Sequence, residues 1–174
     1  DDVVSEVRHL EGKTTRQLQA ILSDTISRGG QLLVFVSSRS SAQKEARELS
    51  KHCRSLLVDD VHGLDPDIAD RWEEVANSAY QSEGSNLSKT LSSALRGGVA
   101  FHHAGLTGRQ RGIIEDAFRE GDLECIVATP TLAQGVNLPA RTVVVRDYRR
   151  WSAAAGMSMP LPVTVSYTHL RAHE

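Results

Sequence analysis

Four short apolar runs recur along the chain, inside "LLVFVSSR" at 32–39, "VAFHH" at 99–103, "LECIVAT" at 123–129 and "RTVVVRDY" at 141–148. None keeps a regular apolar–polar alternation, so none has a face suited to water. Such a strand is stable only with both faces covered, the condition of a parallel sheet between helices. Helical patterns separate the runs, and strands alternating with helices predict an α/β fold: a three-layer sandwich with a mostly parallel central sheet flanked by helices. "RTVVVRDY" is the last strand expected.

The helical patterns carry their own start and stop signals. "TTRQLQAILSDTISRGG" puts Leu18, Ile21, Leu22 and Ile26 on one face and ends at Gly29 and Gly30. "SAQKEARELSKHC" is a second amphipathic helix, after which the pattern weakens from Ser55 to Asp65 and reads as a loop. "DPDIADRWEEVANSAY" restarts with Asp65 as N-cap and Pro66 at the first helical position. "NLSKTLSSALRGG" closes on Gly97 and Gly98, and together these two helices form an insertion between strands. "TGRQRGIIEDAFREG" opens with a capping box, Thr107 with Gln110, and stops at Gly121.

At 174 residues with 40% hydrophobic residues the chain is long enough for one domain with a full core. A formal net charge of −2 excludes a uniformly basic nucleic-acid coat but leaves room for a local basic groove. Cys53 and Cys125 are too few for a disulfide framework and lie in apolar stretches, which favours buried thiols in a reducing, cytoplasmic setting. No run approaches the ~20 apolar residues of a membrane span. The first residues lack the basic and apolar regions of a signal peptide and read as a cut inside a longer chain.

In parallel sheets ligands collect where strands end, because the loops there vary while the sheet stays rigid. Three loops follow strands in this way: Ser37, Ser38 and Arg39; His102 to Leu106; and "TPTLAQGVN" from Thr129 to Asn137. Hydroxyls, glycine-exposed amides and one guanidinium hold phosphate oxygens without reading bases. The loops are therefore expected to line one phosphate-tracking edge.

These residues resemble, in order and spacing, a known set. "VFVSSR", "AFHHAGL", "FREGDLECIVATPTLAQGVNLPAR" and "VVVRDYRRW" are similar to motifs IV, IVa and V of the second RecA-like domain of superfamily-2 helicases. Within that superfamily they look most like the archaeal DExH-box DNA repair helicases related to the Ski-type group. The resemblance covers roughly residues 10 to 162 and is most specific in motif V.

The resemblance implies a RecA-like fold and a set of roles. Ser37, Ser38 and Arg39 match motif IV, and His103 and Gly105 match motif IVa, both of which grip the strand backbone. Thr129, supported by Thr131, would donate to a phosphate of the tracked strand. Gly135 would let the backbone approach nucleotide, and Asn137 matches the position that meets the ATP ribose. A pair of such domains closes on Mg-ATP and opens after hydrolysis, advancing a single-stranded or forked DNA 3′ to 5′. The implied setting is an archaeal cytoplasm and nucleoid, with accessory domains as further partners and no membrane.

Only one such domain is expected here, over residues 1–164. "EGKTT" has Gly12, Lys13 and Thr14, but Val7 stands where a phosphate-cradling loop needs glycine, and no acidic box occurs. The Mg²⁺ would therefore belong to the first RecA-like domain. The motif carrying the arginine finger should follow "PLPVT", yet the chain reads "VSYTHLRAHE", so residues 165–174 are expected to be a foreign tail. With neither cradle nor finger, the chain alone is expected to be inactive, with no catalytic residue of its own.

Plainer readings stand beside the sharper ones. Ser37 and Ser38 cap the following helix or grip phosphate. His102 and His103 point to opposite faces of a strand, one of them a core histidine or a strand contact. His169 and His173 have the spacing of a metal pair without the intervening glutamate, and no metal is assigned. Arg146, Arg149 and Arg150 form a solvated surface or a phosphate groove; Trp72 and Trp151 pack or stack on bases. An RNA helicase of the Ski type and a non-catalytic nucleic-acid-binding module remain alternatives, because phosphate grips do not distinguish the sugars. A metabolite-binding doubly wound enzyme lacks its dinucleotide fingerprint.

Overall fold

A computed structural model describes residues 5–9, 14–59, 63–80, 85–133, 138–146, 149–152, 157–160 and 164–168. In chain order the elements begin with strand β1 (Ser5–His9), helix α1 (Thr14–Ser27), β2 (Leu32–Phe35) and α2 (Arg39–Leu56). Next come β3 (Val58–Asp59), β4 (Gly63–Leu64), α3 (Pro66–Ala79), α4 (Asn86–Leu95), β5 (Val99–His102) and α5 (Gly108–Arg119). β6 (Cys125–Ala128), a 3-10 turn (Pro130–Ala133), β7 (Thr142–Val145), β8 (Arg149–Ser152), β9 (Met157–Pro160) and β10 (Thr164–Thr168) complete it.

The four apolar runs pair side by side in the order β7-β2-β6-β5, all parallel. The path from β2 through α2 to β5 crosses the sheet one way, and the path from β5 through α5 to β6 returns. Right-handed crossovers in opposite directions place their helices on opposite faces, giving the RecA-like α/β sandwich. The adjacent histidines mark the two faces: His102 meets Glu115 of α5, and His103 meets Gln43 of α2.

Apolar burial follows the predicted faces. Leu18, Ile21 and Leu22 are buried, with Ile26 packed against the core. On α2, Ala42, Ala46, Leu49 and Cys53 make one buried stripe at helical spacing. Trp72 is 2% exposed and lies against Gly98, which settles it as a packing residue; the side chain of Trp151 is outside the described residues. Cys53 and Cys125 are free and buried, and burial pushes both thiols up. Among the described residues no helix is long and apolar enough to cross a membrane.

Two expectations are corrected. The stretch read as a loop from 55 to 65 contains the end of α2 and a small antiparallel pair, β3 with β4. "RTVVVRDY" does not hold the last strand: β8 and β9 pair antiparallel, and β10 adds antiparallel to β7 with β1 beyond it. β8 and β9 form a separate ribbon and β1 lies at the sheet edge, where two-sided burial is not required, and β10 stands one strand in from that edge as part of an antiparallel extension. β10 includes residues 165–168 of the segment read as a foreign tail. His169 and His173 lie outside the described residues.

Candidate nucleic-acid interface

The sheet order places three loops together. β2, β6 and β5 are adjacent and parallel, so their carboxyl ends share one edge. Backbone bonds carry the ladder one residue further: the Val36 amide donates to the Ala128 carbonyl at 2.8 Å, and the Thr129 amide to the His102 carbonyl at 3.1 Å. Val36, His103 and Thr129 therefore stand at one level, and Ser37 follows one residue beyond it. None of the residues 36–39, 103–107 or 129–132 is acidic, which suits an edge that meets phosphate.

Ser38 is the N-cap of α2. Its hydroxyl accepts from the Ser41 amide at 3.2 Å and donates to the Ser41 hydroxyl at 2.9 Å, so its capping role is real. Ser37 is exposed, as is Arg39 in the first turn of the helix. A Cβ built on Gly105 would lie 3.5 Å from Nη1 of Arg39 and 2.8 Å from Cε1 of His103. Glycine there is what lets the loops after β2 and β5 close on one another.

His103 is 1% exposed and stacks on Phe101, ring centroids 5.4 Å apart. Its Nδ1 accepts from the Gly105 amide at 3.0 Å, and its Nε2 meets the Gln43 amide at 3.0 Å. A neutral ring with an accepting Nδ1 carries its proton on Nε2, and since an amide nitrogen only donates, that proton requires Gln43 to turn its amide oxygen toward the ring. Burial and the nearby Arg39 guanidinium hold the pKa of His103 below its usual value, which favours that neutral form. The ring thus shapes the loop from beneath.

His102 is buried on the other face, 4% exposed. Burial, then Arg111 and His103, lower its pKa to about 4, although Glu115 lies 3.8 Å away. Both histidines are core residues, where the sequence pattern predicts one.

Thr129 is 8% exposed at the mouth of β6, and its hydroxyl lies 3.1 Å from that of Thr131, which is exposed. The 3-10 turn, with Leu132 donating to the Thr129 carbonyl at 3.2 Å, holds the two hydroxyls together. Gly135 and Asn137, assigned to the nucleotide, lie outside the described residues. Arg146 departs from both readings of its cluster: it forms a buried ion pair with Glu45 of α2. The side chains of Arg149 and Arg150 are outside the described residues.

Gln43 and Arg111 are the partners that the sequence motifs do not announce. Gln43 stands one helical turn after Arg39, so its spacing was a usable signal. Arg111 meets His102 only through the β5–α5 packing and had none.

The helicase conserved C-terminal domain family matches residues 74–157. The chain is 39% identical over 162 residues to the ATP-dependent DNA helicase Hel308 of Methanocella arvoryzae, covering 91% of this chain and 20% of that protein. It is 38% identical over 164 residues to Hel308 of Caldivirga maquilingensis, covering 92% and 21%. Hel308 of Thermoplasma acidophilum is 41% identical over 148 residues, covering 83% and 19%. The chain spans about a fifth of the length of these curated relatives. With the parallel RecA-like sheet and the three loops at its carboxyl edge, the match places the chain among helicase C-terminal domains, as part of the second RecA-like domain of a superfamily-2 helicase.

Proposed function

We propose that this domain is one half of the motor of an ATP-dependent 3′–5′ DNA helicase working at replication forks or in repair. The observation that carries the reading is the convergence of three acid-free loops at one sheet edge, presenting the Ser37, Thr129 and Thr131 hydroxyls and the Arg39 guanidinium. Such donors grip phosphates and leave bases unread, which is what translocation along arbitrary sequence requires. Ser38 joins them through its place at the helix start, and His103 and Gly105 act by shaping the loop. DNA is preferred over RNA because the similar proteins are DNA helicases by name.

In this reading Gly135 and Asn137 would contact nucleotide and, with the first RecA-like domain, complete a site for ATP whose Mg²⁺ that other domain would hold. The bound nucleotide supplies the closing and opening of the two domains; this chain's contribution is to hold the strand while they move. The setting is the cytoplasm of an archaeal cell, consistent with two free, buried thiols.

The test uses the longer protein that carries this domain. Thr129→Ala is expected to leave DNA-stimulated hydrolysis largely intact and to lower unwinding per ATP roughly three- to tenfold, the 0.5–1.5 kcal/mol of one hydrogen bond. Unchanged unwinding per ATP removes Thr129 from the grip. Stronger stimulation of the ATPase by RNA than by single-stranded DNA moves the assignment to an RNA helicase.

A further inference from the structure

A second basic feature lies away from the loops. Arg47, Lys51 and Arg54 stand at positions i, i+4 and i+7 of α2, one face of that helix, and Lys89, Ser93 and Arg96 repeat the spacing along α4 and its cap. The two rows line a groove of about 500 Å³ between the helices. It lies at the amino end of β5, the sheet edge opposite the loops, since Gly97 in its wall precedes that strand. Five of the chain's 20 Lys and Arg residues thus line one groove on a body of net charge −2.

The groove is built and only partly neutralised. The Ser50 hydroxyl donates to the Ala94 carbonyl at 2.8 Å and Arg54 to the Arg96 carbonyl at 2.8 Å, tying the two helices together. Arg96 pairs with Glu73 at 3.0 Å and Lys51 with Glu48 at 3.7 Å. Arg47 and Lys89 form no ion pair among the described residues. Thr90 and Ser93 add hydroxyls, and the wall has no large apolar side chain. Protein interfaces centre on a desolvated core enriched in aromatic residues and depleted in lysine, and this groove has two lysines and no aromatic residue. Cations interleaved with hydroxyls fit phosphate.

We infer that this groove is a second binding surface for the phosphate backbone of nucleic acid, outside the motif loops. The inference rests on the nucleic-acid reading above and extends it to a new surface. A row from residue 47 to 54 spans about 10 Å at 1.5 Å per residue, about three steps of one duplex strand. Along α2 the groove begins about 12 Å from Arg39 and ends about 22 Å from it, so one nucleic acid can meet both surfaces.

The experiment measures binding of a labelled duplex, a labelled single strand and polyglutamate to the chain by fluorescence anisotropy across salt. The variants are Arg47→Glu/Lys89→Glu and, for the loops, Arg39→Ala. All three substituted residues are at least partly exposed, so the fold is retained; the neutral pair Arg47→Gln/Lys89→Gln replaces the charge reversal if its circular dichroism changes. Charge reversal is expected to weaken duplex binding at least about tenfold and to make the log–log salt slope shallower by about 2, close to one unit for each phosphate no longer neutralised. An unchanged slope and affinity, with Arg39→Ala still weakening the single strand, overturns the groove and leaves the motor reading standing. Weakening on charge reversal with no effect of Arg39→Ala keeps the groove and removes the loop assignment. No binding by the unmodified chain overturns both. Polyglutamate bound more tightly than duplex and released by the same variant gives the groove to an acidic protein and overturns the proposal.

Discussion

Gly98 and Gly29 both adopt the left-handed backbone, at φ 75° and 71°, but their surroundings differ. A Cβ on Gly98 would lie 2.5 Å from the indole of buried Trp72, whereas one on Gly29 meets nothing within 4 Å. Gly29→Ala therefore carries only the backbone penalty of about 1–2 kcal/mol. Gly98→Ala adds the cost of overpacking and is expected to reach about 2–5 kcal/mol. Urea midpoints of the two variants test this, and equal losses would show that Trp72 yields. His102 gives a second prediction. Its folded pKa of about 4 lies below the ordinary 6.5, so the unfolded chain binds the extra proton first as pH falls. Stability is full above pH 6.5 and declines as pH falls through that window, by roughly 3 kcal/mol from this group once both states are protonated. His103, shifted the same way, adds to the slope. His102→Asn should flatten the decline between pH 7 and pH 4.5; an unchanged pH profile would show that Glu115 compensates on protonation.

Among the elements, the start of α5 ties the inserted helices to the sheet. Thr107 and Gln110 close the capping box, and the Gln110 amide also donates to the Ala79 carbonyl at 3.1 Å and the Ser88 hydroxyl at 2.9 Å. Thr107→Ala loses one cap, about 1 kcal/mol. Gln110→Ala also strands two buried acceptors at the ends of α3 and α4, so about 2–4 kcal/mol is expected, read from denaturant midpoints. Equal losses would mean that water replaces the amide. The sequence displayed the box but not these bonds, because the former is local and the latter join residues 31 and 22 positions apart. The same division runs through the fold. Continuous apolar runs disclosed β2, β5, β6 and β7, and caps disclosed the starts of α3 and α5, since those signals lie within a few residues. β1, β8, β9 and β10 depend on partners and edges that periodicity does not encode. At the candidate interface the loops could be named from residue type and position after a strand. The burial of both histidines and the diversion of Arg146 to Glu45 required the packed helices.

Across the whole molecule, the Glu45–Arg146 pair joins the α2 layer to the carboxyl end of β7, beside the edge that carries the loops. The Arg146 amide donates to the Phe35 carbonyl at 2.8 Å, so the parallel ladder fixes where the guanidinium starts. The Glu45 side chain is only 4% exposed, and its charge needs that partner. Removing one member of a buried pair leaves an uncompensated charge, so Arg146→Met is expected to cost about 3–5 kcal/mol. Replacing both, as Glu45→Leu/Arg146→Met, should recover most of that loss, because no charge then remains to be stranded. A double-mutant cycle on denaturant midpoints reads the coupling directly, and additive losses would show that the two side chains act separately. Salt dependence distinguishes structure from grip in the same variants. If Arg146 serves only to hold α2 against the sheet, the double variant keeps the salt slope of nucleic-acid binding unchanged. A slope shallower by about 0.7 on a single strand would instead mean that the guanidinium leaves Glu45 to meet phosphate when the strand is bound.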